Sequence, residues 1–211
     1  MCLPVVSLFC LLAGWAIGAA ASRTITVAAD GSGEFTTVQA AIDVAPSGAA
    51  TRTIILVRRG TYAELLLVLP EKVRLTIRGE DRKQTIIAAT NNAKLNPSRR
   101  ELVSLQADDF ILESITLHNT TPKGGTQAET LKVKADRCVL RHCDFKIFQD
   151  TLQLTGRVYV DDCYVEGDVD YVCAAARSPS TAAPSIRFTT ATSCRRATTP
   201  CTSAMCLSTA G

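Results

Sequence analysis

A chain of 211 residues is long enough for one domain with a sizeable core, or for a small solenoid, and too short for two full domains. Its 23 Lys and Arg against 20 Asp and Glu give a formal charge of +3, and the absence of any basic run with interleaved aromatics excludes nucleic acid as a partner. The slight basic excess favours an acidic ligand.

The first stretch, MCLPVVSLFCLLAGWAIGAAAS, is uncharged until Arg23 and ends in the small residues Ala19, Ala20 and Ala21. Residues 1–21 read as a secretory signal, which implies export to an extracellular or periplasmic space and no stable membrane association after cleavage. The stretch lacks the usual leading Lys or Arg, so an uncleaved anchor helix is the competing reading. Of nine cysteines, Cys2 and Cys10 fall in the signal, Cys138, Cys143, Cys163 and Cys173 in the strand-rich part, and Cys194, Cys201 and Cys206 near the end. An odd number after cleavage argues against a complete disulfide framework. No Cys or His spacing suits zinc, and neither a metal nor a cofactor is expected.

Next comes TITVAADGSGEFTTVQAAIDVAP, an alternating strand, a Gly-rich turn and a short helix. Val38, Ala41, Ile42 and Ala45 recur at helix spacing, Thr36 or Thr37 can cap the start, and Pro46 ends it. From Thr53 the period changes to two. RTIILVRRGTY, KVRLTIRGE, QTIIAAT, DDFILESITLHNT, DRCVLRHCDF and RVYVDDCYVEG each read as short strand closed by Gly, Asn or Asp. No helical segment between them is long enough for a βαβ crossover.

These segments share a template. Leu112, Leu140 and Val160 match, followed three residues later by Ile115, Cys143 and Cys163, and two further on by Leu117, Phe145 and Val165. The step is 28 residues and then 20, so one coil carries an extra loop around TPKGGTQ. Repeats of this size predict an all-β solenoid, a right-handed single-stranded parallel β-helix, in which each unit buries its apolar face only against its neighbours. A β-sandwich also suits short regular strands, but its strands need not repeat one side-chain template. Cys143 and Cys163 are expected to stack in the interior as small apolar residues, with a disulfide between them as the alternative.

Asp150 and Asp170 are also 20 residues apart. With a 20-residue coil they fall in register on one face, separated by about 4.8 Å of strand spacing. Two carboxylates that close cannot both ionise freely, so one keeps a proton at neutral pH and the pair supplies an acid and a base or nucleophile. Asp161, Asp162 and Asp168 are expected only to close strands through their own backbone. Gln149 precedes Asp150 and Gln127 lies one coil earlier, and amide donors beside a carboxylate pair suit oxyanion stabilisation.

With these residues the chain resembles the pectin methylesterases, carbohydrate esterases of the pectinesterase family. DGSGEFTTVQAAIDVAP, GTYAE, ITLHNT followed by QAETLKV, FQDTL and GDVDYV carry the resemblance over residues 23–172, in the family's order and spacing. It implies hydrolysis of galacturonate methyl esters in homogalacturonan by a monomer, without metal. Asp170 would be the nucleophile, Asp150 the acid and then the base, and Gln127 and Gln149 the oxyanion donors. Tyr171 takes the place of the family's Phe and would pack beside the cleft.

The resemblance stops short of an LGRPW-like segment whose Arg and Trp bind the substrate carboxylate and sugar; Trp15, in the signal, is the one tryptophan. Residues 174–211, rich in Ala, Ser, Thr and Pro, read as a low-complexity disordered tail or as the product of a frameshift near Cys173. Codons for residues 177–186 can be chosen so that a neighbouring frame spells a strand of the family's kind. Residues 22–173 then form a β-helix incomplete at its C-terminal end, and this polypeptide is expected to show little or no esterase activity. Three other functions compete. A polygalacturonase-like hydrolase would want carboxylates about 6.5–9.5 Å apart if inverting, a lyase would want a Ca²⁺ cluster, and a non-catalytic β-helix would bind acidic polysaccharide without turning it over.

Overall fold

The computed structural model describes residues 22–168 together with strands at 172–175, 186–188 and 193–196; the signal reading for 1–21, Asp170 and Tyr171 lie outside the described residues. The chain starts with strand β1 (Arg23–Val27) and helix α1 (Val38–Val44), and then winds. The first coil holds β2 (Thr53–Val57), β3 (Gly60–Tyr62) and β4 (Leu66–Val68), and the second β5 (Leu75–Gly79), β6 (Thr85–Ala89) and β7 (Val103–Leu105). The third holds β8 (Ile111–Glu113), β9 (Thr116–Asn119) and β10 (Leu131–Lys134), and the fourth β11 (Cys138–Arg141), β12 (Asp144–Lys146) and β13 (Leu152–Thr155). The fifth holds β14 (Val158–Asp161), β15 (Tyr164–Gly167) and β16 (Val172–Ala175), and β17 (Ile186–Phe188) and β18 (Ser193–Arg196) begin another.

Each coil gives one strand to each of three parallel sheets, ordered β1-β2-β5-β8-β11-β14-β17, β3-β6-β9-β12-β15-β18 and β4-β7-β10-β13-β16. Parallel crossovers within a sheet are right-handed, and the result is a right-handed parallel β-helix. The repeat seen in the sequence is the observed register: Leu140 pairs with Leu112 and Val160, and Phe145 with Leu117 and Val165. All six side chains are buried in one continuous core. A parallel strand fixes side-chain direction with a period of two, so a residue that points inward in one coil stacks on its partner in the next.

The third sheet is not among the strands expected from the sequence. Its members are three or four residues long, and the loops before them vary: 90–102, 120–130 and 147–151. In the third to fifth coils the turns between the first and second sheets are uniform. Ser114, His142 and Asp162 take φ of 54°, 54° and 44°, and the next residues, Ile115, Cys143 and Cys163, point inward and are buried. Cys143 and Cys163 are thiols, not a disulfide. Burial pushes the Cys143 thiol well up and that of Cys138 up to about 12, so both pack as neutral apolar groups.

Helix α1 closes the open N-terminal end of the core with Val38, Ala41 and Ile42. Thr37 is its N-cap without a side-chain bond. Glu64 of GTYAE supplies the cap instead, its carboxylate accepting from the Val38 and Gln39 N–H groups at 2.8 and 2.9 Å. Tyr62 of the same motif is buried, with its hydroxyl donating to the Arg58 carbonyl at 2.9 Å. GTYAE therefore secures the end cap. Among the described residues no helix is long and apolar enough to cross a membrane.

Candidate active site

The variable loops all leave the second sheet and enter the third, so irregularity is concentrated at one corner of the coil. A buried amide ladder holds that corner. Asn91 Nδ2 donates to the carbonyls of Arg99 and Glu101 at 2.7 and 2.8 Å, closing the neck of loop 90–102. Asn119 Nδ2 donates to the carbonyls of Asn91 and Glu129 at 2.8 and 2.9 Å, which closes the next loop and joins the two. Thr121 completes the ladder by donating through Oγ1 to Asn91 O at 2.9 Å. Each bond satisfies a backbone group that the loop would otherwise bury unpaired.

At the top of the corner a vertical file of acids emerges. In the third sheet Leu131 pairs with Val103 and Leu152. Glu101, Glu129 and Asp150 each stand two residues ahead of these partners. They are 4%, 1% and 9% exposed. Asp150 has φ of 56°, a left-handed conformation that Asp tolerates better than most residues. Thr151 follows it, fully buried, its hydroxyl donating to Glu166 O at 2.9 Å and its carbonyl accepting from Thr130 N and Leu131 N at 3.1 Å each. The acid's backbone is thus clamped between coils.

Arg100 is the cation set against this file. Its Nε lies 2.8 and 2.9 Å from the two oxygens of Glu129, and a terminal nitrogen lies 2.7 Å from Oε1. The other terminal nitrogen donates to Gln127 Oε1. The Glu129 bond, with help from the charges of Asp150 and Glu101, holds the guanidinium above its ordinary pKa. Gln127 is thereby bonded to a cation whose field Asp150 also feels. Gln149, half-buried, faces loop residues Pro122–Thr126 across a cavity of about 20 Å³, room for a single water.

Beside the corner lies a cleft of about 290 Å³ lined by His118, Thr121, Lys146, Phe148 and Glu166. Phe148 is 39% exposed there. Burial, with Lys146 beside it, holds His118 below its ordinary pKa and so neutral at pH 7. His142 is an exposed turn residue on another corner. Asp162 and Asp168 do more than end strands: Asp162 lies 3.6 Å from Arg82, and Asp168 pairs with Lys123 at 3.1 Å, which ties the third coil's loop to the fifth coil.

The structure therefore gathers Gln127, Gln149 and Asp150 at one corner; Asp170 lies outside the described residues. Sequence reasoning missed Arg100, Glu101 and Glu129. The signal was present, since Glu101 and Glu129 are 28 residues apart, the step already known from Ile115 and Cys143.

A profile of the Pectinesterase family matches residues 24–181. Pectinesterase 31 of Arabidopsis thaliana is 36% identical over 166 residues, covering 72% of this chain and 52% of its own length. The pectin methylesterase from carrot superposes with a TM-score of 0.71 at 31% identity, over 74% of this chain and 50% of that one. A pectin methylesterase in complex with a hexasaccharide gives a TM-score of 0.64 at 28% identity, over 74% of this chain and 53% of that one. The chain belongs to the pectinesterase family. It spans about half the length of these relatives.

Proposed function

We propose that the chain is a carboxylic ester hydrolase that removes methyl groups from galacturonate in methyl-esterified homogalacturonan. One observation supports this above the rest. Leu152 pairs with Val172, and Asp150 and Asp170 stand the same two residues ahead of those partners in the sequence. The hexasaccharide bound to a similar protein supports an oligosaccharide substrate.

In the proposed reaction the Asp170 carboxylate attacks the ester carbonyl carbon and its electron pair moves onto the carbonyl oxygen. Gln127 and Gln149 donate to that oxyanion. As the C–O bond breaks, protonated Asp150 gives its proton to the departing methoxide, and methanol leaves. Water then attacks the anhydride, losing a proton to Asp150 and restoring Asp170 as the free carboxylate. The steps ask for no metal or cofactor. Extracellular or periplasmic action as a monomer, with no membrane association, completes the proposal, as does a signal at 1–21.

The test is methanol release from methylated pectin by the purified chain. Release that disappears in Asp150→Asn and Asp170→Ala is expected, with no new reducing ends and no unsaturated products. Release that survives Asp170→Ala overturns the mechanism. Oligogalacturonate binding without methanol, indifferent to Asp150→Ala, would establish the non-catalytic function instead.

A further inference from the structure

We propose that Arg100 and Glu129 form a positioning pair that fixes Gln127 as an amide donor toward the ester. The inference rests on the esterase reading for its kinetic consequence, but its structural content stands alone. A glutamine side chain on an exposed loop end has three soft torsions and two nearly equivalent amide orientations. As a donor to a developing oxyanion it is useful only if Nε2, not Oε1, faces the substrate.

Gln127 is held at both ends. Its backbone carbonyl accepts from Ala93 N at 2.8 Å, tying it to loop 90–102. Its Oε1 accepts from Arg100, and since an arginine can only donate, that bond fixes which amide atom faces inward and turns Nε2 away from the guanidinium. Arg100 is itself immobilised: Glu129, 1% exposed, grips it through both oxygens, and the carbonyls on either side of it, those of Arg99 and Glu101, are tied down by Asn91. Asn119 in turn holds the carbonyl of Glu129. The chain of constraint runs from the buried amide ladder through the ion pair to one side-chain amide. A merely structural pair would need no contact with Gln127; this one spends a nitrogen on it.

Removing Arg100 alone would leave Glu129 buried and unpaired, so the variant of choice is Arg100→Gln with Glu129→Gln, which neutralises both partners together. The first measurement is NMR of the Gln127 side-chain amide, identified by its loss in Gln127→Ala. In the native chain the pair of signals is expected to be dispersed and rigid, and in the double variant to collapse to random-coil shifts. The second is methanol release: kcat is expected to fall about tenfold, part of the roughly hundredfold or greater worth of an oxyanion donor, with KM within about twofold. In a Gln127→Ala background the double variant should cost nothing further.

Unchanged Gln127 amide signals overturn the proposal, and so does a kinetic loss that persists in full without Gln127. If the native chain releases no methanol, the esterase reading fails while the amide signals still decide this one. Arg100→Lys keeps the charge but not the fork and should restore the Gln127 signals only in part.

Discussion

Two corners of the same coil are built on opposite plans. Where the third sheet turns into the first, the connections leading into the second to fifth coils are short, at most the six residues 69–74, and in the third to fifth coils their polar bonds repeat from level to level. Asp108 Oδ1 accepts from Asp136 N at 2.8 Å, and one coil later Asp136 Oδ1 accepts from Arg157 N at 3.0 Å. Arg137 grips Asp109 at 2.6 and 2.9 Å, and Arg157 grips Asp136. Gly156 is required beside them, because a Cβ there would lie 2.1 Å from the Ala135 carbonyl oxygen. Asp109 and Asp136 are each answered by an arginine one coil on, near water. Where the second sheet turns into the third, the polar groups are buried amides, loops of different length project, and the acids are answered by one arginine. The difference shows how a solenoid separates duties: strand pairing sets the rise of the coil, the regular corner ties successive levels together, and the irregular corner is free to collect chemistry.

The amide ladder is where this contrast breaks most sharply. Asn119→Ala removes donors from two buried carbonyls and an acceptor from Thr121 N, which it holds at 3.1 Å. Orphaned buried groups cost about 1–3 kcal/mol each, so the loss should be about 2–4 kcal/mol in urea unfolding. Methanol release should fall along with it. Near-native stability in this variant would mean that the loops stand without the ladder.

The regular corner should respond to pH instead. The bond from Arg157 holds the Asp136 carboxyl well below its ordinary value of 3.8, and the bond from Arg137 lowers Asp109 in the same way. A depressed carboxylate contributes stability that is present above its unfolded value and lost as pH falls through the folded one. Tm should therefore hold from pH 7 to about 4 and decline below it. Asp136→Asn should lower Tm modestly at pH 7, by less than Asn119→Ala does, and flatten the acid decline. An unchanged acid limb would place the acid sensitivity elsewhere.

What the sequence disclosed follows the same division. Leu112, Leu140 and Val160 announced the coil because inward side chains must fill a constant cross-section at every level. The third sheet stayed hidden because Val103–Leu105 and Leu131–Lys134 follow loops of unequal length, so no fixed spacing from the preceding strand marks them. Asp150 was legible in its 20-residue step to Asp170, with Gln149 and Gln127 as amide donors beside it, and a family's motifs then implied their roles. Glu101, Glu129 and Arg100 were not singled out, since a charged residue read alone suggests a solvated surface. The 28-residue step from Glu101 to Glu129 was in the sequence, and the register of the hidden sheet turns both into members of a buried file.

The smallest effect is expected at the outer rim of the irregular corner. Loop 120–130 crosses the fourth coil's corner and is fastened at its far side by Lys123 to Asp168, at 3.1 Å, with the lysine half exposed. Such a pair contributes under about 1 kcal/mol and is screened by salt. Lys123→Ala should leave Tm within about a degree, while the amide of Gly125, bonded to Pro122 O at 3.1 Å, exchanges faster with solvent. High salt should produce the same acceleration in the native chain and none in the variant. If Tm instead falls as far as in Asn119→Ala, the loop is part of the cooperative fold, and the irregular corner is as rigid as the regular one. If exchange at Gly125 does not change, the loop's own turn holds it and the ion pair contributes nothing.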